Sequence, residues 1–239
     1  MGGLAWFYNV PIDLLRTMNP DINPNVMIVG TQVLIPAQTS VPANLTPQPT
    51  PINLPLEGLN CLHDVVQGVW CFVWVSNPTD ESLENVVISV NIADQSLNQT
   101  YSRQGNGALN VLPAGQKIPA AVYFPPIISA EIQKSASLVS AIPYNQVDER
   151  YQLLKIEILQ EEYELNNQLV RIKGNYAASA PVNTIEIVSV GLDENGNIIA
   201  LKNKREILSS PSMTGVFMID LASVAGRIHQ VLLFGEGQP

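Results

Sequence analysis

The sequence predicts a mainly β protein dominated by two β-sandwiches, and three observations support this prediction. Only 14% of the 239 residues are charged, while 18 are Pro and 15 are Gly. The apolar residues are largely Val, Ile and Leu in short runs, the usage typical of strands separated by turns. Such runs recur through residues 58–239, so most of the chain is expected to form antiparallel sheets.

The charge balance and the hydropathy argue against two classes of partner. The chain has 12 Lys plus Arg against 21 Asp plus Glu, a net charge of −9. A basic surface for nucleic acid or anionic lipid is therefore not expected. No apolar stretch approaches the roughly 20 residues of a membrane-spanning helix. Any export signal is expected to lie upstream or to have been removed, because Met1 is not followed by a basic segment and an apolar run.

The N-terminal segment, LAWFYNVPIDLLRTMNPDINPNVMIVGTQVLIP, predicts two short helices and a strand. The first helix contains Ala5, Tyr8 and Val10 and ends at a bend at Pro11. A second helix over Leu14 and Leu15 should end at Asn19-Pro20, because proline cannot continue a helix. A polar loop, a Val-Gly turn and a closing strand over residues 32–36 follow.

The order of Asn-Pro, Ile-Asn-Pro-Asn, Val-Gly and Leu-Ile-Pro in this segment resembles a LysM wall-binding module. That family has a strand, two helices and a second strand. Residues 1–37 would be a partial α+β module that begins inside the first helix. Its opening strand is expected upstream, and the alternative is that a neighbouring chain supplies it. The alternative is a two-helix remnant packed on a sandwich, with Trp6, Phe7 and Tyr8 as ordinary core residues.

The resemblance implies binding of glycans that contain N-acetylglucosamine, chiefly peptidoglycan and also chitin-like polymers. Backbone amides and carbonyls of the loop after the second helix would bond the acetamido group. The loop residues assigned by this resemblance are Asp21, Ile22, Asn23, Pro24, Asn25, Val26 and Met27.

Residues 38–57 are predicted to form a linker. Five prolines recur there among Thr, Gln, Asn and Ala, and no charge occurs between Gln38 and Leu56. Proline density favours extended polyproline geometry, so the segment should act as a semi-rigid spacer.

The two sandwiches are predicted over residues 58–147 and 148–239, and the order of apolar runs in the first half returns in the second, which predicts an internal repeat. Residues 74–77 match 172–175 in position, and residues 89–92 match 189–192. The pair resembles tandem immunoglobulin-like sandwiches of bacterial surface proteins. Residues 151–160 could form a helix by composition, but alternating apolar residues favour a strand, with its turn near residues 165–167.

Turns are predicted between the strands. Turns are expected at four places where Gly, Pro or Asn supply the required dihedral angles: Asn77–Asp80, Gln104–Gly107, Pro113–Gly115 and Asn195-Gly196.

Cys61 and Cys71 are predicted to form a disulfide. They flank Val65-Val66-Gln67-Gly68, and a tight antiparallel turn there would place them opposite one another. The bond would indicate an extracytoplasmic location: cell wall, periplasm or cell surface. Two buried thiols on neighbouring strands are the alternative. A zinc site is poorly supported, because His63 is the only nearby imidazole.

Catalysis is not expected, and the sequence implies no cofactor and no metal. His63 and His229 are far apart in sequence and lie in no catalytic motif. Three groups of carboxylates are interpreted as solvated acids or turn residues: Glu161, Glu162 and Glu164; Asp80, Glu81 and Glu84; Asp193 and Glu194.

The function predicted from these features is non-catalytic attachment to a cell wall, with the sandwiches acting as spacer and presentation domains. One module should bind weakly, so useful retention would require further modules. The alternative is an adhesion or assembly protein whose sandwiches bind another surface protein through strand edges, with the LysM-like segment inactive.

Overall fold

Antiparallel β-sheets make up most of the chain, as the short apolar runs predict. The computed structural model describes residues 12–20, 22, 33–35, 52–94, 99–126, 132–144 and 150–239. The chain divides into two compact units, Met1–Thr50 and Pro51–Pro239, called here the small unit and the large unit.

The small unit contains helix α1, Ile12–Thr17, which agrees with the second predicted helix. Leu15 is fully buried, and the helix ends before Asn19-Pro20. The first predicted helix lies outside the described residues. The predicted closing strand is wrong over residues 33–35, which form no strand. The backbone of Leu34 bonds instead to the side chain of Asn19.

The first sandwich of the large unit consists of two sheets. One has the order β1-β2-β6, and in the other β3 pairs with β4, β5 and β7. All the pairs are antiparallel. The strands are β1 Leu56–His63, β2 Val69–Ser76, β3 Leu83–Asp94, β4 Gln99–Asn106, β5 Val111–Leu112, β6 Lys117–Phe124 and β7 Ile132–Pro143.

Strand β2 is apolar on both faces because both faces are covered. Its sequence is VWCFVWVS, and its residues Cys71–Val75 are all buried. Val73 and Val75 belong to a hydrophobic cluster with Ile88 and Val90 of β3, which places them between the two sheets. Alternate residues of a strand point to opposite faces. Trp70, Phe72 and Trp74 therefore share the other face.

The second sandwich is built around one long hairpin. Its strands are β8 Gln152–Leu153, β9 Lys155–Glu164, β10 Leu169–Leu192, β11 Ile198–Ala222 and β12 Gln230–Gln238. The order is β11-β10-β12-β8, and β9 also pairs with β10. Strand β9 lies along the first half of β10 and β12 along the second half. The strand prediction for residues 151–160 is therefore confirmed over residues 152–153 and 155–160, with a break at Leu154.

The long hairpin folds back on itself. Its register is irregular between Ala177 and Thr184. Lys204 Nζ lies 3.1 Å from the carbonyl oxygen of Met218, fourteen residues further along β11. A straight strand would separate these residues by about 46 Å. The bend brings Ile172 from the first half of β10 and Ile187 from the second half into one core.

Two further sequence predictions need correction. Residues 104–106 lie in β4 rather than in a turn. Gly105 is required for packing, because a Cβ atom there would collide with the Ala121 carbonyl of β6. The linker ends earlier than predicted, since Leu54 is buried and Leu56 begins β1.

The internal repeat is also not reproduced by the topology. The matched segments of the first half lie on β2 and β3, in different sheets, whereas those of the second half both lie on β10. The other predicted turns are present at residues 77–80, 113–115, 165–167 and 195–196.

Candidate functional site

The predicted glycan-binding loop lies almost entirely outside the described residues. Asp21, Asn23, Pro24, Asn25, Val26 and Met27 are not described, and Ile22 is. The Ile22 N–H donates a hydrogen bond to the Asn19 carbonyl at 3.2 Å. Of the predicted glycan-binding residues, the structure thus describes Ile22, which follows the end of helix α1.

Asn19 forms a clasp across the predicted loop. Its Nδ2 donates to the carbonyls of Leu15 at 2.7 Å and Leu34 at 2.8 Å, and its Oδ1 accepts the Leu34 N–H at 2.7 Å. The residue is 6% exposed. The Leu15 bond satisfies a carbonyl left over at the helix C-terminus, while the Leu34 bonds hold Leu34 at the end of helix α1.

Sequence reasoning missed this role of Asn19. The sequence indicates Asn19 only as the residue before Pro20 at the end of the helix. Its bonding partner Leu34 is fifteen residues away, so no local pattern marks the contact. At Leu34, both the N–H and the carbonyl have a partner in Asn19.

In the large unit, the second sandwich covers the aromatic face of β2. The rings of Trp74 and Phe234 lie 6.1 Å apart, and Asn60 Nδ2 donates to the Ile198 carbonyl at 3.0 Å. Val188 and Val190 of β10 join the hydrophobic cluster of the first sandwich. The two sandwiches therefore share part of one core and form a single body.

Glu236 is a buried carboxylate at this junction and is 1% exposed. It accepts hydrogen bonds from the Asn110 N–H at 3.0 Å, from Asn110 Nδ2 at 2.6 Å and from the Val111 N–H at 3.0 Å. Burial raises the pKa of Glu236, these donors partly offset that increase, and the neighbouring Glu186 adds to it. Glu236 thus clasps β12 to the segment that enters β5.

A pocket of about 400 Å³ opens beside Glu236. It is lined in part by Ser82, Tyr144, Tyr151, Gln152 and Leu153. The Tyr144 hydroxyl donates to the Tyr151 carbonyl and accepts the Tyr151 N–H, each at 3.1 Å. The Gln152 side chain bonds to Ser179 and Ala180. The polar groups of Tyr144 and Gln152 are therefore occupied by structural bonds.

The carboxylates singled out in the sequence make structural contacts. Glu84 is buried and forms an ion pair with Arg150 at 3.0 Å. Glu162 and Glu164 lie near Arg171 on the exposed face of β9 and β10. Glu161 accepts a hydrogen bond from Tyr163, and burial together with this acidic neighbour raises the pKa of Tyr163 to about 12.

Asp193 is a turn residue. Its burial raises the pKa of the carboxyl, but hydrogen bonds from Asn197 and Asn195 outweigh that effect and lower the pKa below its usual range. Within the described ranges, no three His, Cys, Asp or Glu residues come together in a way that could hold a metal ion. In the same part of the chain, no helix is long and apolar enough to cross a membrane.

Cys61 and Cys71 face each other on β1 and β2 and are joined by a disulfide. His63 pairs with Val69 near the end of the same hairpin. His229 is exposed, and its N–H donates to the Leu192 carbonyl. The two histidines thus lie on separate elements, β1 and the segment before β12.

Comparison with known proteins gives no family assignment. No protein-family model matches the chain, and no curated protein matches it. Among solved structures, the crystal structure of red sea bream transglutaminase aligns with 77% of this chain and 29% of its own chain, at 10% identity and a TM-score of 0.27. A superposition at that score supports no statement about fold or activity.

Proposed function

We propose that the chain is a non-catalytic, extracytoplasmic protein that attaches to cell-wall glycan through its small unit and presents the large unit beyond it. The ligand would be a polymer containing N-acetylglucosamine, such as peptidoglycan or a chitin-like glycan. The disulfide between Cys61 and Cys71 supports an oxidising location outside the cytoplasm.

The Asn19 clasp is the observation that carries this proposal. It ties the end of helix α1 to Leu34 and so fixes both ends of the loop that the LysM resemblance assigns to glycan binding. A loop with fixed ends loses less conformational entropy when it binds than a free segment does. The loop backbone can then offer its amides and carbonyls to an acetamido group.

Co-sedimentation with insoluble peptidoglycan and with chitin tests the proposal. The natural chain should be retained weakly, and a chain lacking residues 1–37 should not be retained. Asn19→Ala should reduce retention at least fivefold, because the loop loses its closing bonds. Met18→Ala is the matched control, since Met18 is the neighbouring residue and is 39% exposed; it should bind as the natural chain does. Absence of retention of the natural chain on both polymers would contradict the proposal.

An adhesion or assembly function through strand edges is the second candidate, and strand β11 favours it. This 25-residue strand ends the sheet order of the second sandwich and pairs with β10 on one side. Ile207, Val216 and Met218 on it are 79%, 60% and 60% exposed. Strand edges with exposed apolar residues can accept a further strand. Met218→Lys should then weaken a protein complex while leaving glycan retention unchanged.

A further inference from the structure

Two hairpins of the large unit close with the same five-residue turn, one before β2 and one before β11. The turns are Asp64-Val65-Val66-Gln67-Gly68 and Asp193-Glu194-Asn195-Gly196-Asn197. In each turn, the N–H of the first residue donates to the carbonyl of the fifth residue, at 2.8 Å in the first turn and 3.0 Å in the second. The N–H of the fourth residue donates to the carbonyl of the first residue, at 3.0 and 3.1 Å. The aspartate Oδ1 accepts the third and fifth N–H groups at 2.8–2.9 Å. The fourth residue has a positive φ in both, 67° and 80°.

The apolar tip of the first turn is not required by this geometry. Glu194 and Asn195 occupy the same positions in the second turn that Val65 and Val66 occupy in the first. Val65 is 95% exposed and Val66 is 64% exposed, so the valines gain almost no packing within the fold. Valine also has no preference for turns. The two valines are therefore best explained by a contact with another molecule.

The tip with the valines is held by a disulfide as well as by the hydrogen bonds of the turn. The disulfide between Cys61 and Cys71 crosses the strands of this hairpin. The Asp64 carboxylate accepts two backbone N–H groups of the turn. A rigid tip loses little conformational entropy on binding.

Four of the five backbone N–H groups of the turn have an acceptor within the turn. The N–H groups of Asp64, Val66, Gln67 and Gly68 all donate within the turn. Such a tip can enter hydrocarbon without leaving these donors unpaired. A protein partner that recognised the turn backbone would find the same donors already occupied.

Two aromatic residues lie directly behind the tip. The rings of Trp70 and Tyr123 are 4.9 Å apart and half-buried. The Tyr123 ring packs against Gly68, where a Cβ atom would collide with it. Arg103 donates to the Tyr123 carbonyl at 3.3 Å. Trp and Tyr behind an apolar tip are the arrangement favoured at the boundary between hydrocarbon and headgroups.

We propose that the tip formed by Val65 and Val66 inserts into the interfacial region of a lipid bilayer, with Trp70 and Tyr123 at headgroup level. The net charge of −9 makes an uncharged, zwitterionic surface the suitable partner rather than an anionic one. Two valines support only weak, reversible binding, with half-saturation at roughly millimolar lipid. The contact would add to another attachment rather than replace it.

Vesicle co-sedimentation of the full chain tests this proposal, with phosphatidylcholine vesicles as the probe. The natural chain should bind, and raising NaCl should change its binding little, because the contact is apolar. The double variant Val65→Glu, Val66→Asn carries the tip of the second turn, which already folds in this geometry. It should bind at least fivefold more weakly. The matched double variant Val65→Leu, Val66→Leu should bind more tightly than the natural chain.

Three results would overturn the proposal. One is equal binding of the natural chain and the Glu/Asn variant to phosphatidylcholine, or no binding of either. Another is binding only to vesicles that contain phosphatidylglycerol, lost at high salt, which would indicate an electrostatic contact. The third is a dimer in sedimentation velocity without lipid that the Glu/Asn substitution abolishes, because the tip would then contact a second copy of the chain.

Discussion

Asn19 in the small unit and Glu236 in the large unit do the same structural task with different chemistry. Each is a buried side chain that makes three hydrogen bonds and joins two chain segments. Asn19 is a neutral amide that both donates and accepts, whereas Glu236 is an acid that accepts only. The stability that such a clasp provides is therefore independent of pH when the buried residue is Asn and depends on pH when it is Glu.

The largest expected effect is that of Asn19→Ala. It removes three hydrogen bonds and leaves both backbone groups of Leu34 without the partner they have, at a cost of about 3 kcal/mol. A unit of 50 residues or fewer has a small core and little stability to lose. Amide hydrogen exchange should show loss of protection at Leu34 and in helix α1, with the large unit unchanged. Retained protection at Leu34 would show that Asn19 is not the clasp.

Glu236→Ala should be the next largest effect. The N–H groups of Asn110 and Val111 lose their acceptor, and we expect a loss of about 2 kcal/mol in the free energy of unfolding of the large unit. Urea unfolding followed by tryptophan fluorescence measures this change, because Trp74 lies at the junction. The large unit should remain folded in water, since its two hydrophobic clusters are untouched.

A smaller loss is expected for Asn110→Ala. This change removes the side-chain donor to Glu236 Oε1 but keeps the backbone donor of residue 110. The expected loss is about 1 kcal/mol. A double variant with Glu236→Ala should be less destabilised than the sum of the two single variants, because both act on one network. Simple additivity would show that the two residues are not coupled.

The smallest expected effect is a difference between Glu236 and Asn19 in how their contribution to stability depends on pH. Because burial raises the pKa of Glu236 in the folded chain, protonation of its carboxyl favours the folded state. The stabilisation of the folded chain by the protonated Glu236 carboxyl is fully present below the ordinary glutamate pKa of about 4.3. It is lost as pH rises through the raised pKa of the folded chain. The unfolding free energy of the natural chain relative to Glu236→Gln should therefore fall across that window. The difference between the natural chain and Asn19→Ala should stay constant over the same range.

The sequence allowed the strands and most turns to be predicted because these depend on neighbouring residues. The alternation at Leu154, Ile156 and Ile158 identified strand β9, and Asn195-Gly196 identified the turn between β10 and β11. These signals are local. The bend of β10 was missed, since its register irregularities leave no mark in composition.

Neither clasp could be predicted, because its partners are distant in sequence. Asn19 bonds a residue 15 positions away, and the bonds from Asn110 and Val111 to Glu236 span 126 and 125 positions. A weak signal existed for Glu236, which is an acid in the apolar run Val-Leu-Leu-Phe-Gly-Glu-Gly. An acid in such a run is expected to be buried with donors. The predicted glycan-binding residues came from a resemblance, and their interactions remain a prediction.

If the chain is attached through its small unit, as proposed, the disulfide of the β1–β2 hairpin has a mechanical consequence. Tension applied through the linker would peel β1 from its edge of the sheet, starting at Leu56. Peeling stops at Cys61, after an extension of about 17 Å at about 3.4 Å per residue. Force then passes through the sulfur atoms to Cys71. The turn with Val65 and Val66 lies inside this covalent loop, so it carries no load and keeps its shape while the tether is pulled.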